Sequence, residues 1–376
     1  MRRLVFAMVA AFGLVGAAHA ADLITSDATH IAIVDYNTGQ VIFEKNARIP
    51  MPPASMSKLM TAYLTFDKLK SGSLKLNDTL PVSETAWRMQ GSKMFVAINS
   101  QVKVEDLIRG MIIQSGNDAC ITLAEGIAGT EAAFADLMNR KAREIGLLDS
   151  TFANSTGWPD PNQRMSARDL AVLGSRIIRD FPRYYKYYSE ESFTYNGITQ
   201  GNRNPLLGRF AGADGIKTGH TDESGYGLVG SAVRNGERRV IVFNGMASMD
   251  ARASEAQRLM LSAFSDFRFI PLYKKGTVVT AVKVFGGKHA TVDAVAPVDI
   301  RFGLHRAARA GMKVEVVYKG PVAAPFKAGD TIATLHVTAP GRGPQDFPLV
   351  AAADERKAGP IGRIIAGASR LFGGGR

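Results

Sequence analysis

Two stretches of period-two hydrophobicity bracket a long region of helical period in the first 270 residues, and this order constrains the fold more than any other feature of the chain. Residues 30–36 and 40–44 alternate around Asn37, Thr38 and Gly39, the pattern of a β-hairpin. Residues 225–232 and 240–245 alternate around Arg234-Asn235-Gly236-Glu237, a second one. Between them Met56, Leu59, Met60 and Tyr63 fall at i, i+3, i+4 and i+7, a helix entered through Pro52-Pro53-Ala54-Ser55. Residues 105–113, 119–127, 132–145 and 166–178 carry the same period between Gly, Asn and Pro clusters. A last helix is expected over about 254–267, on Leu259, Met260, Ala263, Phe264 and Phe267. An isolated hairpin is marginal in water, so the two must share one sheet around the helical insertion. The expectation is an α/β domain with a largely antiparallel sheet.

After residue 270 the pattern changes to short valine-rich runs at 278–284, 290–295, 313–318 and 331–337, split by Gly and Pro turns, which predicts a small all-β second domain. A length of 376 suits two domains, and 46% hydrophobic with 21% charged residues is ordinary globular composition. The single cysteine, Cys120, excludes an internal disulfide framework and a thiolate metal site, and reads as a small core hydrophobe. The formal charge is +12, and residues 271–376 carry most of it, with 16 Lys+Arg against 7 Asp+Glu.

The two chain ends read as addresses. Met1-Arg2-Arg3, an apolar run over 4–15 and Ala18-His19-Ala20 form a secretory signal, residues 1–20, with the mature chain starting at Ala21. The run is too short for a membrane span. Residues 354–376 read as a tail in which Ile361, Ile364, Ile365, Ala368, Leu371 and Phe372 share one helical face, opposite Arg363 and Arg370. That pattern fits a helix lying in a membrane interface, or one docked on the protein's own core. Export, and the lack of a stripe of basic and aromatic residues, count against nucleic acid as the partner of the basic charge. The organisation expected is therefore signal 1–20, catalytic domain 21–270, all-β domain 271–353 and amphipathic tail 354–376.

Three short stretches could carry chemistry. In Ser55-Met56-Ser57-Lys58 a three-residue offset puts Ser55 and Lys58 on one helical face, where a neutral lysine can take the hydroxyl proton and the helix N-terminus favours an oxyanion. Ser115-Gly116-Asn117 falls between two helices, and Lys217-Thr218-Gly219 just before a strand-forming segment. Each is common alone: a Ser-x-x-Lys is expected on the order of once by chance in such a chain. In this order they form the serine acyltransferase set of penicillin-binding enzymes.

With the runs Gln114-Ser115-Gly116-Asn117-Asp118-Ala119-Cys120, Ser166-Ala167-Arg168-Asp169, Asn202-Arg203-Asn204 and Asp214-Gly215-Ile216-Lys217-Thr218-Gly219-His220-Thr221, the mature chain resembles, almost end to end, the low-molecular-mass penicillin-binding proteins of the 5/6 type, which are serine-type D-alanyl-D-alanine carboxypeptidases. The resemblance implies a β-lactamase/transpeptidase-like catalytic domain standing off an inner-membrane anchor. It makes Ser55 the residue acylated, Lys58 its base and Ser115 a proton relay. It places Asn117 at the substrate's peptide and Lys217 in the pocket as a positive charge, with Thr218 and Arg252 on the terminal carboxylate of the leaving D-alanine. The backbone N–H groups of Ser55 and His220, beside Gly219, would form the oxyanion hole. It further implies a peptidoglycan pentapeptide ending in D-Ala-D-Ala as substrate, β-lactams as inhibitors, and a place on the periplasmic face of the bacterial inner membrane.

No cofactor or metal is called for: the histidines, His19, His30, His220, His289, His305 and His336, make no spaced ligand pair. One departure is that some relatives carry a histidine in the stretch here written Thr156-Gly157-Trp158-Pro159, which bears on deacylation. Two other readings stay open on the sequence: a serine β-lactamase, which needs a carboxylate to activate water, and a catalytically idle envelope-binding module.

Overall fold

The computed structural model describes residues 5–6 and 23–359. Most of the expected signal, and the tail beyond residue 359, lie outside the described residues. The chain divides into two compact units, one of residues 24–266 and one built from residue 267 onward together with the N-terminal residues.

In the first unit the two hairpins do share a sheet. Strands β1 (His30–Asp35) and β2 (Gln40–Lys45) precede the helical insertion; β3 (Ala213–Thr221), β4 (Gly225–Arg234) and β5 (Glu237–Met246) follow it. The order is β2-β1-β5-β4-β3, antiparallel throughout, with Val34 opposite Val240 and Ala32 opposite Val242. The segment carrying Lys217 is itself a strand, at the sheet edge. Alternation sorts the strand residues between two buried faces. Ala32, Val34, Val229, Val240 and Val242 join the core shared with the helices, while Ile31, Ile33, Ile241 and Phe243 are as fully buried on the other face.

The longer helices are α1 (Lys58–Lys70), α2 (Val104–Ile112), α3 (Asn117–Ala128), α4 (Glu131–Glu144), α5 (Ala167–Asp180) and α6 (Met249–Ser265). α1 was expected to bury one stripe, yet 10 of its 13 residues are buried, because α2, α3, α4 and α5 all pack around it. α5 starts at the Ser166 cap, whose hydroxyl accepts from Asp169 N at 3.0 Å. α6 begins earlier than expected, where Ser248 Oγ accepts from Ala251 N, and it ends before Phe267, which opens the next strand. Arg252 therefore sits in the first turn of α6.

Among the described residues, the second unit is all-β apart from the short 3-10 turn Arg306–Gly311. Its strands are β6 (Phe267–Tyr273), β7 (Val278–Phe285), β8 (Thr291–Val295), β9 (Ile300–His305), β10 (Lys313–Val317), β11 (Val322–Ala323), β12 (Thr331–Ala339) and β13 (Arg342–Ala351). β6 pairs with β9, and the others form the sheet β10-β12-β13-β8-β7-β11, whose β10 edge also takes residues 5–6. Glu355 and Lys357 make single bridges to Phe326 and Gly287 and so extend this β unit.

Candidate active site

Ser55 sits in a 3-10 turn, Ala54–Ser57, that leads directly into α1, and Ala54 before it holds a left-handed φ of 47°. Backbone strain of this kind persists only where surrounding contacts enforce it. Here the edge strand β3 crosses the turn so closely that a Cβ on Gly219 would stand 2.9 Å from Pro53 O and 3.2 Å from Ala54 Cβ. Only glycine lets the strand approach the serine turn this near.

Lys58, 1% exposed, is the centre of the site. Its Nζ lies 2.9 Å from Ser55 Oγ, 2.7 Å from Asn117 Oδ1 and 2.5 Å from Thr156 O. A neutral amine has two N–H bonds and one lone pair. The two carbonyl oxygens accept the N–H bonds, which leaves the lone pair for the Ser55 hydroxyl. Burial pushes the Lys58 pKa down to about 8, helped by Arg203 and opposed by Cys120, Asp118 and Glu131. An amine poised so near neutrality suits a general base.

Ser115, also left-handed at φ 59°, lies in the turn between α2 and α3 and accepts from Lys217 Nζ at 3.0 Å. Lys217 is buried on β3 and donates as well to Thr218 O. Burial, then the charges of Lys58, Arg203 and Arg252, holds its pKa well below the ordinary lysine value. The fold thus brings all three motifs together: Ser55 to Lys58, Lys58 to Asn117, and Lys217 to Ser115. Asn117, expected at the substrate's peptide, commits its Oδ1 to Lys58 and one N–H to Gln90 O.

Tyr226 on β4 links the two remaining candidates. The exposed His220 ring stacks on it at 3.8 Å, and the Arg252 guanidinium lies 5.6 Å from its centroid. Arg252 is 6% exposed, its Nε has no hydrogen-bond partner, and among the described residues no carboxylate pairs with it. A buried cation of this kind calls for an anionic ligand.

Sequence reasoning gave no role to three groups that hold this geometry. Asp118 accepts from the backbone N–H groups of Met94, Phe95, Val96 and Ala119, pinning the 94–96 loop to the start of α3. Asn154 Oδ1 accepts from the N–H groups of Thr156, Gly157 and Trp158, which fixes the loop whose carbonyl meets Lys58. Glu131 takes Ser155 N and Oγ in the same loop. An acid in the first turn of a helix is the one available cue for Asp118.

This chain belongs to the D-alanyl-D-alanine carboxypeptidase family, peptidase S11: residues 16–248 match that family, and residues 267–357 match the C-terminal domain of penicillin-binding protein 5. It is 33% identical to the D-alanyl-D-alanine carboxypeptidase DacA of Escherichia coli K12, over 97% of this chain and 95% of that protein. The structure of penicillin binding protein 5 from Haemophilus influenzae superposes with a TM-score of 0.71 at 33% identity, covering 92% of this chain and 100% of that one. Penicillin-binding protein D2 from Listeria monocytogenes, solved in an ampicillin-bound form, gives 0.59 at 30% identity, covering 64% of this chain and 99% of its own.

Proposed function

We propose that the protein is a penicillin-sensitive serine D-alanyl-D-alanine carboxypeptidase that trims the terminal D-alanine from peptidoglycan stem pentapeptides, in cell-wall maturation and shape. The carrying observation is the Lys58 amine, 2.9 Å from Ser55 Oγ with two carbonyl oxygens at its other positions. Ser55 attacks the carbonyl before the last D-alanine while Lys58 takes its proton. The backbone N–H groups of Ser55 and His220 bind the oxyanion. The proton reaches the leaving amine through Ser115, whose hydroxyl is held by Lys217. Thr218 and Arg252 bind the departing carboxylate, and water then hydrolyses the ester. β-Lactams acylate the same serine.

The β-lactamase reading is disfavoured by the nearby acids. Asp118 accepts four backbone N–H groups and Glu131 accepts from Ser155, so each is committed to holding the frame rather than to activating a water. The idle-module reading is hard to reconcile with a buried lysine set at its serine.

Incubation with a peptide ending in two D-alanines should give a product one D-alanine shorter by mass spectrometry, and labelled penicillin should map to Ser55. A label on Ser57 or Ser115, or an uncleaved peptide, would refute the assignment.

The reading extends to location: an exported protein held on the periplasmic face of the inner membrane by the amphipathic pattern of residues 360–376. No helix among the described residues is long and apolar enough to cross a membrane. Truncation before Pro360 should move the protein from the membrane pellet to the soluble fraction. Unchanged sedimentation would exclude the tail as anchor.

A further inference from the structure

The two carbonyl oxygens that accept from Lys58 are set by two segments far apart in the chain. Thr156 O belongs to the loop 154–158, whereas Asn117 Oδ1 is oriented by residues 90–92. Asn117 Nδ2 donates to Gln90 O at 2.8 Å, which turns the amide so that its oxygen faces Lys58, and Asn117 N donates to Ser92 O at 2.7 Å. Ser92 is held in turn, since its hydroxyl accepts from Arg203 Nη1 at 2.6 Å. The 154–158 loop ends on Trp158, whose N–H donates to Asn154 Oδ1 and whose carbonyl accepts from Asn154 Nδ2.

Trp158 is where the two segments meet. A Cβ on Gly91 would stand 3.0 Å from Trp158 Cζ3 and 3.0 Å from Asn117 Nδ2, so the indole edge and the amide both press on the spot a side chain would fill. The contacts close a ring that runs from Lys58 to Thr156, along the loop to Trp158, across to Gly91 and Gln90, and back through Asn117 to Lys58. Little room is left around it: the space between Trp158 and Pro52, Pro53 and Ala54 is about 10 Å³, enough for about one water. The reaction as derived gives Trp158 no part, and its ring is 44% exposed, so a role in core packing does not account for it.

We propose that Trp158 is a positioning residue, whose contact with Gly91 joins the two segments that hold Lys58 and so keeps the amine dry with its lone pair on Ser55 Oγ. The proposal rests on the carboxypeptidase reading and adds to it the residue that locks its base. Without the ring the two segments part and water reaches the amine, which favours the charged, unreactive form. The groups whose charges act on Lys58 are Asp118 and Cys120 on α3, Glu131 on α4, Arg203, and Lys217 on β3. Replacing an uncharged ring leaves all of them present, so a change in the pH dependence reports the surroundings of the amine itself.

The test is the rate of Ser55 acylation by a fluorescent penicillin between pH 6 and 9.5 in the wild type, Trp158→Ala and Trp158→Phe. The midpoint of the profile is independent of how much of a preparation is folded. Trp158→Ala should move it up by about one pH unit, which is about a tenfold loss of rate at pH 7 that narrows as the pH rises. Trp158→Phe, with a ring of similar reach, should keep the wild-type midpoint. A uniform loss across the range in Trp158→Ala, or no loss, overturns the positioning role and leaves the carboxypeptidase reading standing. The same upward shift in Trp158→Phe overturns it as well, since the ring contact would then be beside the point. A wild type that is not acylated at any pH overturns both.

Discussion

Lys58→Arg should slow acylation of Ser55 by about 10³-fold or more, the scale of losing a general base. The guanidinium stays protonated and presents no lone pair. It is also too large and too rigid for the space between Ser55 Oγ, Asn117 Oδ1 and Thr156 O that holds the wild-type amine. The same argument fixes a pH dependence in the wild type. The neutral amine is the reactive form, and burial brings the Lys58 pKa down to about 8. The neutral fraction therefore grows as pH rises, so acylation should climb about tenfold per pH unit below that value and level off above it. Stopped-flow labelling with a fluorescent penicillin between pH 6 and 9.5 reads both effects, and thermal melting of the arginine variant separates lost chemistry from lost fold. A flat profile in the wild type, or an arginine variant that still acylates at speed, would remove Lys58 from the role of base.

How much of this could be read from the sequence depended on how local the relation was. The Ser55–Lys58 offset follows from helical geometry within four residues, and the structure brings their side chains together. That Lys217 reaches Ser115, or that Asn117 reaches Lys58, is a tertiary fact; the motif order and the family resemblance pointed to it, whereas periodicity could not. The groups that hold the lysine were harder still. Thr156 contributes a backbone carbonyl, which every residue has, so no residue type marks it. Asn154, which fixes that carbonyl, reads as an ordinary loop asparagine.

The fold shows the same division. The two hairpins and most helices of the first unit were legible, since each buries a face with its own period. Strand β13 was not, because Pro344 and Pro348 interrupt it and proline usually argues against a strand. The residues expected at the tail's start, 354–359, instead pair with the β unit, through single bridges that leave no period to read.

Gly157→Ala should be among the most damaging small changes in the first unit. Gly157 has φ 80°, and a Cβ there would lie 2.0 Å from Ala54 O and 2.5 Å from Ser57 Oγ. Left-handed backbone alone costs a non-glycine residue about 1–2 kcal/mol, and a backbone oxygen at that distance cannot step aside as a flexible side chain would. Either the 154–158 loop or the serine turn must move. Such a clash places the loss at about 3–5 kcal/mol, among the larger effects of a single substitution. In a unit of this size that lowers the melting temperature by about 10 °C. The functional loss should exceed what the stability loss explains, because displacing the loop withdraws Thr156 O from Lys58 and displacing the turn moves Ser55 itself. Below the melting point, where the variant is folded, penicillin labelling should therefore still be slow. A variant that melts within a degree or two of the wild type, or that labels normally while folded, would mean that the contact between this loop and the serine turn does not set the position of the nucleophile.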